Sequence, residues 1–292
     1  MKPFHQVEAA DIAYFENVMP GRVFSGSAIS TDYDHDEMTE YGHFMPDAVL
    51  QAQSAQEISA VMRYCCEKNI PVTPRGAGTG LCGGCVAIQG GVVLSTEKMK
   101  GLLEIDTQNM TATLEPGVLL MEMPKLLEGT GLFYPPDPGE KASSIGGNIS
   151  TNAGGMRAVK YGVTRDYVRG LEVVLADGTV MQVGGKQVKD ASGLSLKHLL
   201  IGSEGTLAVI TKCLLRLVPK PEASLSVLVP YADLKTGIQS VLTILRANAN
   251  PTAVEFMERK VVALGERFCG VSYPRSDAGS YILLTFDGRS EE

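Results

Sequence analysis

Basic charge is scarce in this sequence. Lys and Arg number 26 against 33 Asp and Glu, a formal net charge of -7. That excludes the basic footprint of a nucleic-acid-binding surface and the polybasic cluster of a membrane-surface protein. Long apolar runs are missing too. None approaches the ~20 residues that span a bilayer as a helix, so no membrane span is expected. The opening residues, MKPFHQVEAADIAYF, lack the basic-then-apolar order of a signal peptide. Cytoplasm is therefore the expected location. Tryptophan is absent altogether. The histidines are His5, His35, His43 and His198, none at zinc-finger spacing. Cys82 and Cys85 make a lone C-x-x-C with no second pair, which argues against structural zinc. Its Gly-Leu-Cys-Gly-Gly-Cys-Val setting is not the helix start that a redox pair uses. No internal repeat and no low-complexity tract is present.

What is present is an ordinary α/β composition over 292 residues, enough for about two domains. Ser54-Ala-Gln-Glu57 reads as a capping box before Ile58, Val61, Met62 and Cys65 at helical spacing, with the helix ending near Asn69. Ile70 to Pro74, Gly91 to Leu94, Leu102 to Ile105 and Thr111 to Leu114 read as short strands. Val118 to Leu127 reads as a helix disturbed by Pro124. Leu132 to Gly162 shows no periodicity and reads as a long functional loop. Ala176-Asp-Gly178 marks a hairpin between Leu171–Leu175 and Thr179–Val183. Leu196 to Leu200 is helical, and Thr206 to Val218 is a long apolar strand region. Pro219-Lys-Pro221 punctuates the chain. Beyond it come a strand at Leu225–Val229 and a helix with Leu234, Ile238, Val241, Leu242 and Leu245 on one face. A second helix follows at Met257–Phe268, then a strand at Tyr281–Phe286, a β-α-α-β unit. Ser290-Glu291-Glu292 reads as a further helix cap.

Three segments carry chemistry. Pro74-Arg75-Gly76-Ala77-Gly78-Thr79-Gly80-Leu81-Cys82-Gly83-Gly84 is dense enough in glycine to bring backbone N–H groups close to an anion, with Arg75 supplying positive charge. A P-loop would need Gly-Lys-Ser/Thr, which is absent. A Rossmann fingerprint on Gly78, Gly80 and Gly83 would need a helix next, and Val-Ala-Ile-Gln-Gly-Gly-Val-Val-Leu is strand-like. The remaining reading is a non-Rossmann diphosphate loop. In the second segment, Tyr134-Pro-Pro-Asp137-Pro-Gly139 and Ser143 to Gly155, small hydroxyl and amide residues alternate with glycine, which suits a flat, heteroatom-rich ring. The third, Gly202-Ser-Glu-Gly205 entering an apolar strand, is weak alone. Asp34-His35-Asp36-Glu37 has the residue types of a metal site but reads as a solvated loop. His198 reads as a surface or capping residue.

In this order, PVTPRGAGTGLCGG, YPPDPGEKASSIGGNISTNAGG, YGVTRDYVRGLEVVLADG and LLIGSEGTLAVITK resemble the vanillyl-alcohol oxidase/p-cresol methylhydroxylase flavoproteins, in the branch of glycolate oxidase catalytic subunits and D-lactate dehydrogenases. The resemblance runs from about Pro46 to the end of the chain. It implies an α+β protein with an N-terminal segment (1–45), a two-subdomain FAD-binding domain of the p-cresol methylhydroxylase type (46–218), and the first half of a ferredoxin-like cap domain (219–292), truncated there. It assigns the diphosphate to Arg75, Gly76, Ala77, Gly78, Thr79, Gly80, Gly83 and Gly84. It assigns the flavin and the rest of FAD to Asp137, Ser143, Ser144, Gly147, Asn148, Thr151, Gly154, Gly155, Tyr161 and Gly162, with Glu204, Gly205 and Ile210 from the third segment.

The implied reaction oxidises a D-2-hydroxy acid such as glycolate or D-lactate to the 2-oxo acid, by hydride transfer to flavin N5. An electron-transferring flavoprotein or an iron–sulfur subunit is the implied electron-accepting partner. Covalent relatives carry a histidine in the first loop; Gly76 to Gly80 has none, so FAD is expected to be non-covalent. Ala208 stands where the family has glycine, and Gly193-Leu-Ser-Leu196 replaces Gly-Tyr-Asp-Leu. The family's histidine motifs for metal and base do not occur in residues 1–292. No catalytic residue and no metal ligand is therefore assigned, and the chain is expected to bind flavin without turning over alone. Two alternatives stay open: a reductase on the same fold, such as the UDP-N-acetylenolpyruvoylglucosamine reductases, and a flavin-carrying electron-transfer subunit of a complex.

Overall fold

The computed structural model describes residues 3–289. The proposed cap at Ser290–Glu292 lies outside the described residues. The chain divides into two compact units. The first comprises Met1–Tyr134, Glu140–Ala153 and Tyr167–Val218; the second comprises Pro135–Gly139, Gly154–Asp166 and Pro219–Glu292.

The first unit opens with helix α1 (Ala9–Val18) and strand β1 (Val23–Ser25), followed by β2 (Ala48–Gln51), helix α2 (Ala55–Lys68), β3 (Val72–Arg75) and β4 (Val92–Ser95). These strands form a sheet in the order β1-β2-β4-β3. β4 runs parallel to both β2 and β3, while β1 is antiparallel to β2. β4 is buried along its whole length, as its continuous Val-Val-Leu requires. The N-terminal segment is therefore folded into this sheet. Phe15 and Met19 are fully buried and pack with Leu50, Ile58 and Val61. The acids and polar residues that interrupt the apolar pattern of α1 hide it in the sequence.

α2 starts and stops as read. The Ser54 hydroxyl accepts the Glu57 N–H, and Asn69 ends the helix in the left-handed region at φ 59. The Glu57 carboxylate also takes the Gln53 N–H and a two-pronged grip from Arg22 at 2.9 and 2.5 Å. That grip ties the end of β1 to the helix.

The chain continues through β5 (Leu102–Asp106), β6 (Thr111–Leu114), the short helix α3 (Met123–Leu126), β7 (Leu132–Phe133), helices α4 (Ile145–Thr151) and α5 (Ala158–Tyr161), β8 (Val168–Val174), β9 (Val180–Gly184), helix α6 (Leu196–Leu200), β10 (Val209–Arg216) and β11 (Val218–Pro219). β5-β6-β10-β8-β9 form a second, antiparallel sheet. The expected β8/β9 hairpin is present around Ala176-Asp-Gly178. The stretch Leu132–Gly162 is not structureless, and this corrects the sequence reading. α4 forms on Ile-Gly-Gly-Asn-Ile-Ser-Thr because Ser144 caps it and Ile145 and Ile149 are both fully buried. Two glycines in seven residues mask its period.

The second unit adds β12 (Ala223–Tyr231), helix α7 (Leu234–Arg246), β13 (Ala253–Glu258), helix α8 (Arg259–Cys269) and β14 (Ser280–Gly288). The unit is β-α-β-α-β rather than β-α-α-β. β13 is the missed strand, six residues running directly into α8, with no turn signal to separate them. β14 is central and antiparallel to both β12 and β13. Leu234, Ile238, Leu242 and Leu245 of α7 are exposed, and Gly237 is its buried residue.

Candidate cofactor site

The first glycine-rich segment connects two parallel strands, β3 and β4, with no helix between them. That geometry excludes a Rossmann turn. Among the described residues, no protein acceptor meets the backbone N–H groups of Ala77, Gly78, Thr79 or Gly80. Four successive free donors around a glycine at φ +78 form a concavity that favours an anion. Paired backbone is the rule in folded proteins, so such a run calls for a ligand or water.

Arg75 does not point there. Its side chain is buried and donates to the Asp32 carbonyl at 2.6 Å, the His35 carbonyl at 2.8 Å and the Cys85 carbonyl at 3.4 Å. The guanidinium also lies over the Tyr33 ring. The sequence reading placed its charge on the diphosphate. The structure makes it a strut between the loop and residues 32–35, because the fork finds carbonyls there in bidentate reach. Gly78 must be glycine partly for this reason: a Cβ would stand 2.2 Å from the Arg75 guanidinium. Burial pushes the Cys85 thiol up, against the pull of Arg75, so Cys85 is a neutral packing group.

α4 and the third segment converge on this loop. A Cβ on Gly76 would lie 2.3 Å from the Ser144 hydroxyl, and one on Gly84 would touch Glu204 at 3.5 Å. Gly205 sits at φ +76 against Pro74. Glu204 donates its N–H to the Ser150 carbonyl and Gly202 to that of Ile149, so the turn hangs from the end of α4. The hydroxyls of Ser143, Ser144 and Thr151 serve the local backbone: Ser143 donates to Glu140, Thr151 donates to Gly147, and Ser144 accepts the Gly147 N–H. Asn148 is 4% exposed and its side-chain NH₂ has no partner. A buried orphan donor costs about 1–3 kcal/mol, so its presence fits a ligand carbonyl or ring nitrogen. Ile210 is a buried strand residue paired with Val173.

The remaining candidates belong to the second unit. Gly155 passes so close to the Asp137 carbonyl that a Cβ would lie 1.9 Å from it, and Gly162 adopts φ +78 beside Asp166. Gly154 has ordinary room. Asp137 pairs with Arg157 at 3.5 Å. The Tyr161 hydroxyl donates to Asp287 at 2.9 Å, and Lys160 forms an ion pair with the same carboxylate. Burial raises the Asp287 carboxyl, but hydrogen bonds from Lys160, Thr252 and Tyr161 outweigh it and hold it below the ordinary carboxylate value. Lys160 and Asp287 escaped the sequence reading because 127 positions separate them.

Asp36 escaped it too. Its buried carboxylate accepts the Gly83 N–H at 2.7 Å and that of Met38 at 2.9 Å. Asp34 accepts from both His35 and His43. Asp34 to Glu37 is thus no solvated loop but a strap against the first glycine segment. Its alternation of acids and histidines gives no sign of burial.

Comparison with known proteins agrees with this geometry. Residues 46–184 match the FAD binding domain family, and residues 220–292 match the C-terminal domain of FAD linked oxidases. The chain thus carries a FAD binding domain followed by sequence of the C-terminal domain of FAD linked oxidases. It is 46% identical over 294 residues to a D-lactate dehydrogenase of Anaerostipes hadrus, covering 99% of this chain and 62% of that protein. It is 44% identical over 260 residues to the glycolate oxidase subunit GlcD of Bacillus subtilis, covering 89% and 55%. The chain thus spans under two thirds of these relatives. A solved structure of p-cresol methylhydroxylase with substrate bound superposes with a TM-score of 0.79 at 19% identity, over 96% of this chain and 60% of that one. This likeness shows the fold, an α+β protein of the p-cresol methylhydroxylase type. No helix among the described residues is long and apolar enough to cross a membrane.

The cofactor of this FAD binding domain is FAD, and Asn148 gives a clean test of where it sits. Asn148→Leu removes an unpaired buried donor, so the FAD-free protein should keep or gain stability. FAD affinity should fall by roughly 10-fold or more, the effect of one hydrogen bond of about 1.5 kcal/mol. Thermal melting and FAD titration of the same preparation read both. Unchanged FAD affinity would place the cofactor away from α4.

Proposed function

We propose that this chain carries the FAD site of an enzyme that oxidises a D-2-hydroxy acid, glycolate, D-lactate or a similar acid, to the 2-oxo acid. The free N–H run at Ala77–Gly80 carries the reading. In it, the first loop (Gly76, Ala77, Gly78, Thr79, Gly80, Gly83 and Gly84) cradles the diphosphate. Arg75 and Asp36 hold that loop in shape and are positioning residues. Ser144, Gly147 and Asn148 line the next part of the cofactor, and Glu204 and Gly205 close it from the third turn. Asp137, Gly154, Gly155, Tyr161 and Gly162 are assigned to the flavin side. Bound FAD supplies the hydride acceptor. The domain division proposed is 46–218 for FAD and 219–292 for part of the cap, with non-covalent FAD and a cytoplasmic location.

The names of the relatives, D-lactate dehydrogenase and glycolate oxidase subunit, support the substrate class. An electron-transferring flavoprotein or an iron–sulfur subunit is the proposed acceptor of the electrons. The protein expressed from its whole reading frame and loaded with FAD should be mixed anaerobically with D-lactate, glycolate and D-2-hydroxyglutarate. Loss of flavin absorbance with at least one acid is the expected result. Bleaching by NADPH and by none of the acids would overturn the reading in favour of a reductase.

A further inference from the structure

The strap that Arg75 fastens to the first loop holds a cluster outside the residues assigned to FAD. Nδ1 of His35 lies 2.7 Å from Oδ1 of Asp34, and Nδ1 of His43 lies 2.8 Å from the same oxygen. The two rings are tilted by 57° with centroids 5.0 Å apart. Three potential ligand atoms, one from each residue, lie within 4.8 Å of one another. Sequence spacing does not reveal this set, because His43 is eight positions from His35 and outside the Asp34–Glu37 run. The fold brings it back through the Phe44 N–H, which donates to the Asp34 carbonyl at 2.7 Å.

We propose that Asp34, His35 and His43 bind one divalent transition-metal ion. Metal–nitrogen and metal–oxygen bonds of ~2.0–2.1 Å in a tetrahedral site put neighbouring ligand atoms about 3.3 Å apart. Nδ1 and Oδ1 need therefore separate by only about 0.5 Å to admit the ion, with each imidazole proton moving to Nε2. The backbone is already fixed on both sides. Arg75 grips the Asp32 and His35 carbonyls, and the Asp34 N–H donates to Thr31. The carboxylate is buried, whereas the His43 side chain is 59% exposed, leaving coordination positions open to water. Two imidazoles with one carboxylate select a borderline ion such as Zn²⁺ rather than Mg²⁺ or Ca²⁺, which take oxygen ligands. Because the His35 carbonyl is held by the side chain that packs on Gly78, the ion would brace the same loop that cradles the diphosphate.

Zn²⁺ should be titrated into the FAD-loaded chain in competition with a chromophoric chelator. One tight site per chain is expected. His43→Ala changes an exposed side chain, so its fold is not in question, and retained FAD verifies it. That variant and Asp34→Asn should each weaken Zn²⁺ by more than the roughly 10–100-fold that loss of an outer-shell partner costs. Absence of a tight site would overturn the proposal. So would a site that His43→Ala leaves intact, which would place the ion on the exposed thiols Cys66, Cys82 or Cys269.

Discussion

Gly78→Val should abolish FAD retention while leaving most of the fold standing. Two costs coincide at this position. The backbone sits at φ +78, where a β-branched residue is strongly disfavoured. A Cβ would also overlap the Arg75 guanidinium, 2.2 Å from Nη2 and 2.8 Å from Cζ. Relief requires the guanidinium to leave the Asp32, His35 and Cys85 carbonyls, or the loop to move and lose its row of free N–H groups. Either way the cradle is lost. Gly129→Val separates the two costs. Gly129 has nearly the same φ, +77, and nothing within 4 Å of a Cβ. It should lose stability and keep FAD. If Gly78→Val keeps FAD at wild-type affinity, the diphosphate does not bind at this loop.

Arg75→Ala should destabilise the FAD-free protein itself. It leaves two close carbonyls and one more distant without their donor, and hydrogen bonds from a charged group are worth about 1.5–3 kcal/mol each. Allowing for non-additivity, a loss of roughly 2–4 kcal/mol is expected. That corresponds to a melting point lower by roughly 4–16 °C in a unit of this size. FAD affinity should fall as a consequence. Arg75→Lys decides between strut and charge. An ammonium cannot span the carbonyls as the fork does, so a strut is not rescued by lysine. A residue that acts only by its charge on the diphosphate would be. A variant with normal melting in the absence of FAD and weak FAD binding would contradict the strut.

The legible parts of the fold were those with local causes. Ser54 and Asn69 bound α2 by side-chain and backbone chemistry that lies within the helix itself. Ala176-Asp-Gly178 turns the β8/β9 hairpin for the same reason. Glycine density located the run of N–H groups at Ala77–Gly80 that no protein acceptor meets, because a backbone open to close approach cannot carry side chains. What was illegible depends on distant partners. Arg75 looks like a ligand for phosphate until Asp32 and His35 are seen to occupy it. Asp36 and Asp34 look solvated until the strap is seen folded against Gly83. Asp287 gains its meaning only from Lys160 and Tyr161. α4 was hidden by Gly146 and Gly147, whose closeness to Pro116 and Ser144 outweighs their poor helix propensity.

The most direct test is to precipitate the purified, FAD-loaded protein with acid and assay both fractions. One FAD per chain, released to the supernatant, is the predicted result, and the same assay on Gly78→Val should return none. A colourless wild-type protein, flavin that stays with the pellet, or full FAD in Gly78→Val would contradict a non-covalent FAD site built on Ala77–Gly80.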